Sequence, residues 1–273
     1  MEQRKIEIAR LYRQGVSSKE ICAKCKCSTN TISKVLDEFN IPRRVKKKIN
    51  KDLSKFFDLS AKETQYWIGY ICADGSIQYN TKNGTYKVSL FSKEEEPIDN
   101  FIKYFGEDVV NKHRRKSGII EAYINSKKLC EYFINVLNIT PNKSLTLNPN
   151  IEFTPNFILG YFDGDGCIRN SSEKHVRYEC NITCGNRKFL EKIKEILDSE
   201  GIYSIIYKHT DCEAYKIRID RKEDSRKFYK FLYKDKITCL SRKLNNFASL
   251  FGNIEDKSSS ELLEQVGESA AKY

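Results

Sequence analysis

Trp67-Ile68-Gly69-Tyr70-Ile71-Cys72-Ala73-Asp74-Gly75 and Ile158-Leu159-Gly160-Tyr161-Phe162-Asp163-Gly164-Asp165-Gly166 are near-copies of one another, 91 residues apart. Each is an apolar stripe with small residues set inside it, closed by Asp-Gly, which predicts a helix that stops on a carboxylate. An offset of this size is about one small domain, so the repeat predicts two related half-domains. Gly69 and Ala73 in one copy, and Gly160 and Gly164 in the other, leave room for two helix backbones to touch. Packed side by side, the helices would bring Asp74 and Asp165 to one point. Two carboxylates held there suit a divalent cation and phosphate chemistry.

The flanking sequence repeats as well. From residue 63 the periodicity gives a helix at 63–74, strands near 76–80 and 85–91, a helix at 95–105, strands near 108–115 and 119–125, and a helix at 127–138. The second copy gives a helix at 155–165, strands near 167–170 and 176–184, a helix at 187–200, strands near 203–209 and 214–220, a helix at 223–234, and a short closing helix near 242–250. Hairpins alternating with helices predict an α+β architecture, a pseudo-symmetric pair of αββαββα half-domains whose antiparallel sheets carry helices on one face. The strands alternate: Val176, Tyr178, Cys180, Ile182 and Cys184 point one way, Tyr215, Ile217 and Ile219 likewise. The opposite face offers Gln78, Lys87, Arg169, Arg177, Asn181, Lys216 and Arg218, polar and cationic groups of the kind that reach base edges and phosphates from a β-ribbon.

Charge is unevenly placed. The net charge is +11, and residues 1–56 hold 15 Lys/Arg against 6 Asp/Glu, a surplus of nine. A basic N-terminal module on a longer body points to a polyanionic partner, most simply nucleic acid, and the DNA-binding pattern of that module makes double-stranded DNA the expected one. Residues 2–14 read as a helix stopped by Gly15, Ser17 to Glu20 form a capping box for a short second helix, and Ser28 caps a third. Helix, short helix, turn, helix is a helix-turn-helix, a small all-α domain over 1–45. Its third helix would expose Thr29, Asn30, Ser33 and Lys34 to bases or phosphates. Arg43, Arg44, Lys46, Lys47 and Lys48 follow, and read as a stretch lying along phosphates. Cys22, Cys25 and Cys27 have no second ligand pair nearby, and Cys22 and Cys27 fall at core positions of the helical pattern, so zinc is not expected.

The domain reading is therefore 1–45 helix-turn-helix, 46–62 basic linker, 63–150 first half-domain, 151–253 second half-domain and 254–273 a disordered acidic tail. No apolar run approaches a membrane span, and the N-terminus has no signal-peptide core, so a cytoplasmic protein with reduced cysteines is expected. His113, His175 and His209 fall in strands or loops and receive no catalytic role.

The N-terminal segment resembles the helix-turn-helix of resolvases and bacterial regulators, departing from it at Lys26, where that family usually has glycine in the turn. The two Asp-Gly helices resemble the motifs of the LAGLIDADG homing endonucleases over roughly residues 57–252, in the two-motif, monomeric form. The resemblance implies a site-specific DNA endonuclease of a mobile genetic element. It would hydrolyse one phosphodiester on each strand across the minor groove and leave short 3′ overhangs. It implies that Asp74 and Asp165, with the backbone carbonyls of Ala73 and Gly164, hold the metal, Mg²⁺ in two or more ions. It also implies that Lys143 and Lys243 are the active-site lysines. The family's earlier acidic position, not a metal ligand there, is Cys72 in the first copy and Asp163 in the second. Two other functions are open on the same fold: a non-cleaving transcriptional regulator and an intron RNA maturase. The tail has no splice-junction asparagine, so an intein is not the expectation.

Overall fold

A computed structural model describes residues 2–44, 51–169, 178–210 and 213–252. Lys46, Lys47, Lys48, Arg177 and the tail at 254–273 lie outside the described residues. The chain divides into two compact units, 1–50 and 51–273.

The first unit holds α1 (Glu2–Arg13), α2 (Ser18–Cys25) and α3 (Thr29–Glu38). The Ser17 hydroxyl accepts the Glu20 N–H and the Glu20 carboxylate accepts the Ser17 N–H, so the capping box forms as its residues dictate. Lys26 turns the chain in the left-handed region, φ 45°, the conformation that a glycine would adopt without cost. Ile8, Leu11, Ile21, Ile32, Val35 and Leu36 close a separate small core. The exposed Arg44 guanidinium makes contacts within the unit. It stacks 4.0 Å over the Tyr12 ring and donates to the carbonyls of Tyr12, Gly15 and Val16, the last at 2.9 Å. Tyr12 lies in the last turn of α1 and Gly15 and Val16 in the turn that follows, so the cation binds the chain where the helix ends. Arg43 likewise pairs with Asp37 at 3.0 Å, on the surface.

The second unit begins with a single turn, α4 (Ser54–Phe57), then α5 (Lys62–Asp74). There follow β1 (Gly75–Asn80), β2 (Thr85–Ser92), α6 (Glu95–Phe105), β3 (Asn111–Arg114), β4 (Ile120–Asn125) and α7 (Lys127–Asn135). After a 3-10 turn at Lys143–Leu145 the pattern restarts with α8 (Pro155–Asp165), β5 (Gly166–Ile168), β6 (Cys180–Cys184), α9 (Arg187–Ser199), β7 (Ile205–Lys208), β8 (Tyr215–Ile219), α10 (Lys222–Tyr233) and α11 (Ser241–Phe251). The sheets are antiparallel and share one topology, β1-β2-β4-β3 and β5-β6-β8-β7. This is the expected pair of half-domains. One continuous core joins them, with Tyr66, Trp67, Phe157, Tyr161 and Phe162 of α5 and α8 at its centre.

Several elements are shorter than the sequence pattern, β5, β7 and β8 by one to three residues and three others as follows. The strand expected over 108–115 starts at Asn111, because the N–H groups of Val109 and Val110 bond back to the Gly106 carbonyl. The helix expected to 138 ends at Asn135: the Leu137 N–H closes on Tyr132 and Asn138 turns to φ 54°. The strand expected from 176 begins at Cys180 among the described residues.

Candidate active site

Alpha helices α5 and α8 meet face to face, and glycine decides how closely. A Cβ on Gly69 would run into the Phe157 carbonyl, and one on Gly160 into the Tyr66 carbonyl; their next neighbours are the backbone N of Tyr161 and of Tyr70, each at 3.0 Å. Two backbones in direct contact are possible only because both positions lack side chains. One turn on, Gly164 lies against the Ala73 methyl, and its missing Cβ would stand 3.3 Å from Asp74 Oδ2. The four small residues singled out in the sequence thus form the helix interface, and the last pair brings the Asp74 carboxylate against the partner helix.

Asp74 is half-buried and Asp165 is exposed. Burial first, and the Asp165 charge second, push the Asp74 carboxyl up to about 6, against the pull of Lys243 and Lys143. The Asp165 carboxyl is raised too, by partial desolvation at its packed end, tempered by Tyr161 and the same two lysines. Each anion is thus disfavoured where it stands, and a cation between them would relieve both. No group of three or more His, Cys, Asp or Glu side chains able to hold a metal occurs among the described residues. Two carboxylates supplemented by backbone carbonyls and water fit Mg²⁺, which keeps several of its waters, and do not fit a closed zinc site. A cavity of about 300 Å³ opens beside Asp74, lined by Tyr70, Phe91, Gly164 and Arg242 among others.

The two lysines occupy matching places, and their partners differ from a free ammonium facing a ligand. Lys143, 8% exposed, donates to the Ala73 carbonyl at 3.2 Å and the Gly75 carbonyl at 2.8 Å. Lys243, 3% exposed, donates to Asp163 at 2.8 Å and Gly166 at 2.6 Å, and also to Phe162. Each ammonium therefore caps the C-terminal carbonyls of the helix whose last residue is the candidate metal acid. Burial pushes Lys243 down to about 8, opposed by Asp163, and lowers Lys143 in the same sense. The carbonyl of Ala73, expected as a metal ligand, is shared with Lys143, whereas Gly164 is not among the acceptors of Lys243.

Asp163 and Cys72 occupy equivalent positions with different tasks. Asp163, 2% exposed, accepts the Tyr66 hydroxyl at 2.9 Å and the Leu240 N–H at 2.8 Å. Burial drives its carboxyl up to about 7, against the pull of Lys243 and these two donors. Cys72 is buried, its thiol pushed up to about 12 by desolvation.

Beyond this junction the candidate DNA contacts sort by register. Gln78, Lys87, Lys216 and Arg218 stand on the sheet faces opposite the core, and Arg169 is exposed just after β5. Thr29, Asn30 and Lys34 of α3 are exposed and Ser33 is half-buried. Asn181 differs: the register turns it outward, yet it is 6% exposed, on a central strand between Cys167 and Arg218, with its amide donating to Glu179 at 2.9 Å. Glu121 and Arg115, which the alternation of β3 and β4 could have flagged, also belong to the outward face of the first sheet.

Two family models match: the LAGLIDADG-like domain over residues 152–232 and the homeodomain-like domain over residues 2–45. The chain shares its fold with the structure of I-SmaMI bound to uncleaved DNA target in the presence of calcium ions. That likeness has a TM-score of 0.51 at 14% identity, over 68% of this chain and 88% of the other. Two curated relatives match at the sequence level. The large subunit of ribonucleoside-diphosphate reductase from Invertebrate iridescent virus 6 is 25% identical over 168 residues, 60% of this chain and 15% of the relative. The DNA-directed RNA polymerase subunit Rpo1C of Methanocaldococcus jannaschii is 29% identical over 200 residues, 68% of this chain and 22% of the relative. The chain thus spans less than a quarter of the length of the curated relatives it matches. Among the described residues no helix is long and apolar enough to cross a membrane.

Proposed function

We propose that the chain is a site-specific DNA endonuclease that hydrolyses one phosphodiester on each strand of a long target and leaves short 3′ overhangs. The observation that carries this reading is the glycine-lined contact of α5 and α8, which supplies both acids, Asp74 and Asp165, from a single chain. A monomer would then suffice. Asp74 and Asp165, with neighbouring backbone carbonyls, would hold divalent ions, Mg²⁺ by the oxygen chemistry of the donors. A bound ion supplies Lewis acidity and an activated water for in-line attack. The chain's own part is to fix the two carboxylates, to keep Lys143 and Lys243 beside the helix ends as local positive charge, and to grip the duplex. Gln78, Lys87, Arg169, Lys216 and Arg218 would contact the target from the sheets, Arg177 with them. Thr29, Asn30, Ser33 and Lys34, with Arg43, Arg44, Lys46, Lys47 and Lys48, would extend the contact through the N-terminal unit.

A second reading, a regulator that binds DNA without cutting it, draws on one observation: both lysines spend donors on helix-end carbonyls. One experiment separates the two. Purified protein is incubated with Mg²⁺ and a plasmid library of randomised targets, and cut and merely retained sequences are recovered separately. Enriched cut sites support the nuclease; retention of defined sequences with no cutting supports the regulator.

A further inference from the structure

The outward face of the first sheet carries a buried carboxylate, an unusual choice for a surface offered to a polyanion. Val88, Leu90, Ile120, Ala122 and Ile124 are buried on the core side, and the registers Ser89↔Tyr123 and Phe91↔Glu121 place Lys87, Ser89, Phe91 and Glu121 on the other. Glu121 is 4% exposed and both its oxygens are used. One accepts Lys87 Nζ at 2.6 Å and Ser89 Oγ at 2.8 Å; the other accepts Arg115 Nη2 at 3.0 Å. Burial pushes its carboxyl up, but the three donors outweigh that and hold it below its ordinary value.

The arrangement fixes Arg115 in two directions. Its backbone is pinned in the β3–β4 turn by a bond from its N–H to Ile119 and one to its carbonyl from Gly118. Its guanidinium carbon stands 4.7 Å from the centre of the Phe91 ring, and the Glu121 bond holds one of its terminal nitrogens. Among the described residues the other side-chain donors of Arg115 have no partner, and the side chain is 44% exposed. Its neighbours Lys112 and Arg114, of opposite parity, turn instead to Glu95 and Asp99 on α6. An aimed guanidinium fork can grip a phosphate bidentately as well as a base edge, and the base profile decides between them. A fork aimed along one direction matches the paired O6 and N7 acceptors of guanine, and mismatches the acceptor-donor pair of adenine.

We propose that Arg115 is a specificity-determining residue that reads one guanine in the target, with Glu121 and Phe91 as the positioning residues that aim it. The proposal rests on the DNA-binding reading above and deepens it.

The test uses the full chain and a target recovered from the randomised library, with affinity measured for all four bases at every position. The wild type should demand guanine at one position in the half of the site under the first sheet, losing about tenfold or more for other bases. Arg115→Gln should level that position or turn it toward adenine, with the other positions and the salt slope unchanged. Glu121→Gln, and separately Phe91→Leu, should relax the same position to a lesser degree. An even loss across all sequences with a salt slope smaller by about one would mean a phosphate contact and overturn the proposal. So would an unaltered base profile in Arg115→Gln. Failure of the wild type to bind any duplex would remove the DNA-binding reading itself, and this proposal with it.

Discussion

The carboxylate of Asp163 accepts the backbone N–H of Leu240 at 2.8 Å, joining α8 to a residue 77 positions further on. Glu96 of α6 accepts the next N–H, that of Ser241, at 3.2 Å. The first turn of α11 has no side-chain cap of its own, and these two carboxylates satisfy it from outside. Lys243 rides on that turn. Asp163→Ala leaves the Leu240 N–H and the Tyr66 hydroxyl without an acceptor. It should cost about 1–3 kcal/mol in urea unfolding and slow cleavage by displacing Lys243. Asp163→Asn retains an acceptor oxygen and should lose less of both. Equal stability of wild type and the alanine variant would refute the tethering role.

Close approach of α5 and α8 gives a second expectation. Gly69→Ala and Gly160→Ala each place a methyl on a backbone carbonyl that cannot step aside. Each should destabilise the body by about 1–3 kcal/mol or more, and separate the two acids. Chemical denaturation checks the first effect and DNA cleavage the second. Unchanged unfolding would mean that the helices part without penalty.

For Lys143 and Lys243, the buried hydrogen bonds predict two losses where a purely catalytic lysine predicts one. Substitution by Met removes the donor to Ala73 and Gly75, or to Phe162, Asp163 and Gly166. About 1–3 kcal/mol of stability should go with it. Single-turnover cleavage by the folded fraction should fall about a hundredfold, the scale of losing one positioned charge at a reacting phosphate. Wild-type rates in both variants would leave only the capping role.

Much of this was readable from the chain. The repeat, its small residues and the hairpin pattern are strictly periodic features, and periodicity survives folding. Gly69 and Gly160 announced a helix contact because nothing else at those positions permits one. The fate of the cations was not readable. Arg43 and Arg44 are exposed as their basic run suggests, but the bonds of Arg44 to carbonyls after α1 depend on the tertiary turn and carry no signal in the sequence. The acceptors of Lys143 and Lys243 are main-chain atoms, which carry no residue-type signal. Asn181 obeys its alternation and is buried regardless, since exposure on a central strand depends on its neighbours as well as its parity. Alternation places Arg115 and Glu121 on the outward face, but in sequence a carboxylate on a basic sheet reads as an ordinary surface charge until its three donors are seen together.

The N-terminal unit closes its own core, so the body should fold and cut without it. Deletion of residues 1–50 should weaken DNA binding, flatten its salt dependence and shorten the footprint on one side, because fewer phosphates are neutralised. At saturating protein the cut position should not move. Footprinting of both forms decides this; an unaltered footprint and salt slope would assign the unit to another task.

In the proposed reaction the two acids, Asp74 of α5 and Asp165 of α8, act together. Its most direct test is a paired measurement of binding and Mg²⁺-dependent cleavage, on the selected target, for Asp74→Asn and Asp165→Asn. Each substitution removes one charge and almost no surface, so both variants should bind the target about as tightly as the wild type and fail to make a double-strand break. Full cleavage by either variant would contradict the placement of the metal site at the junction of α5 and α8.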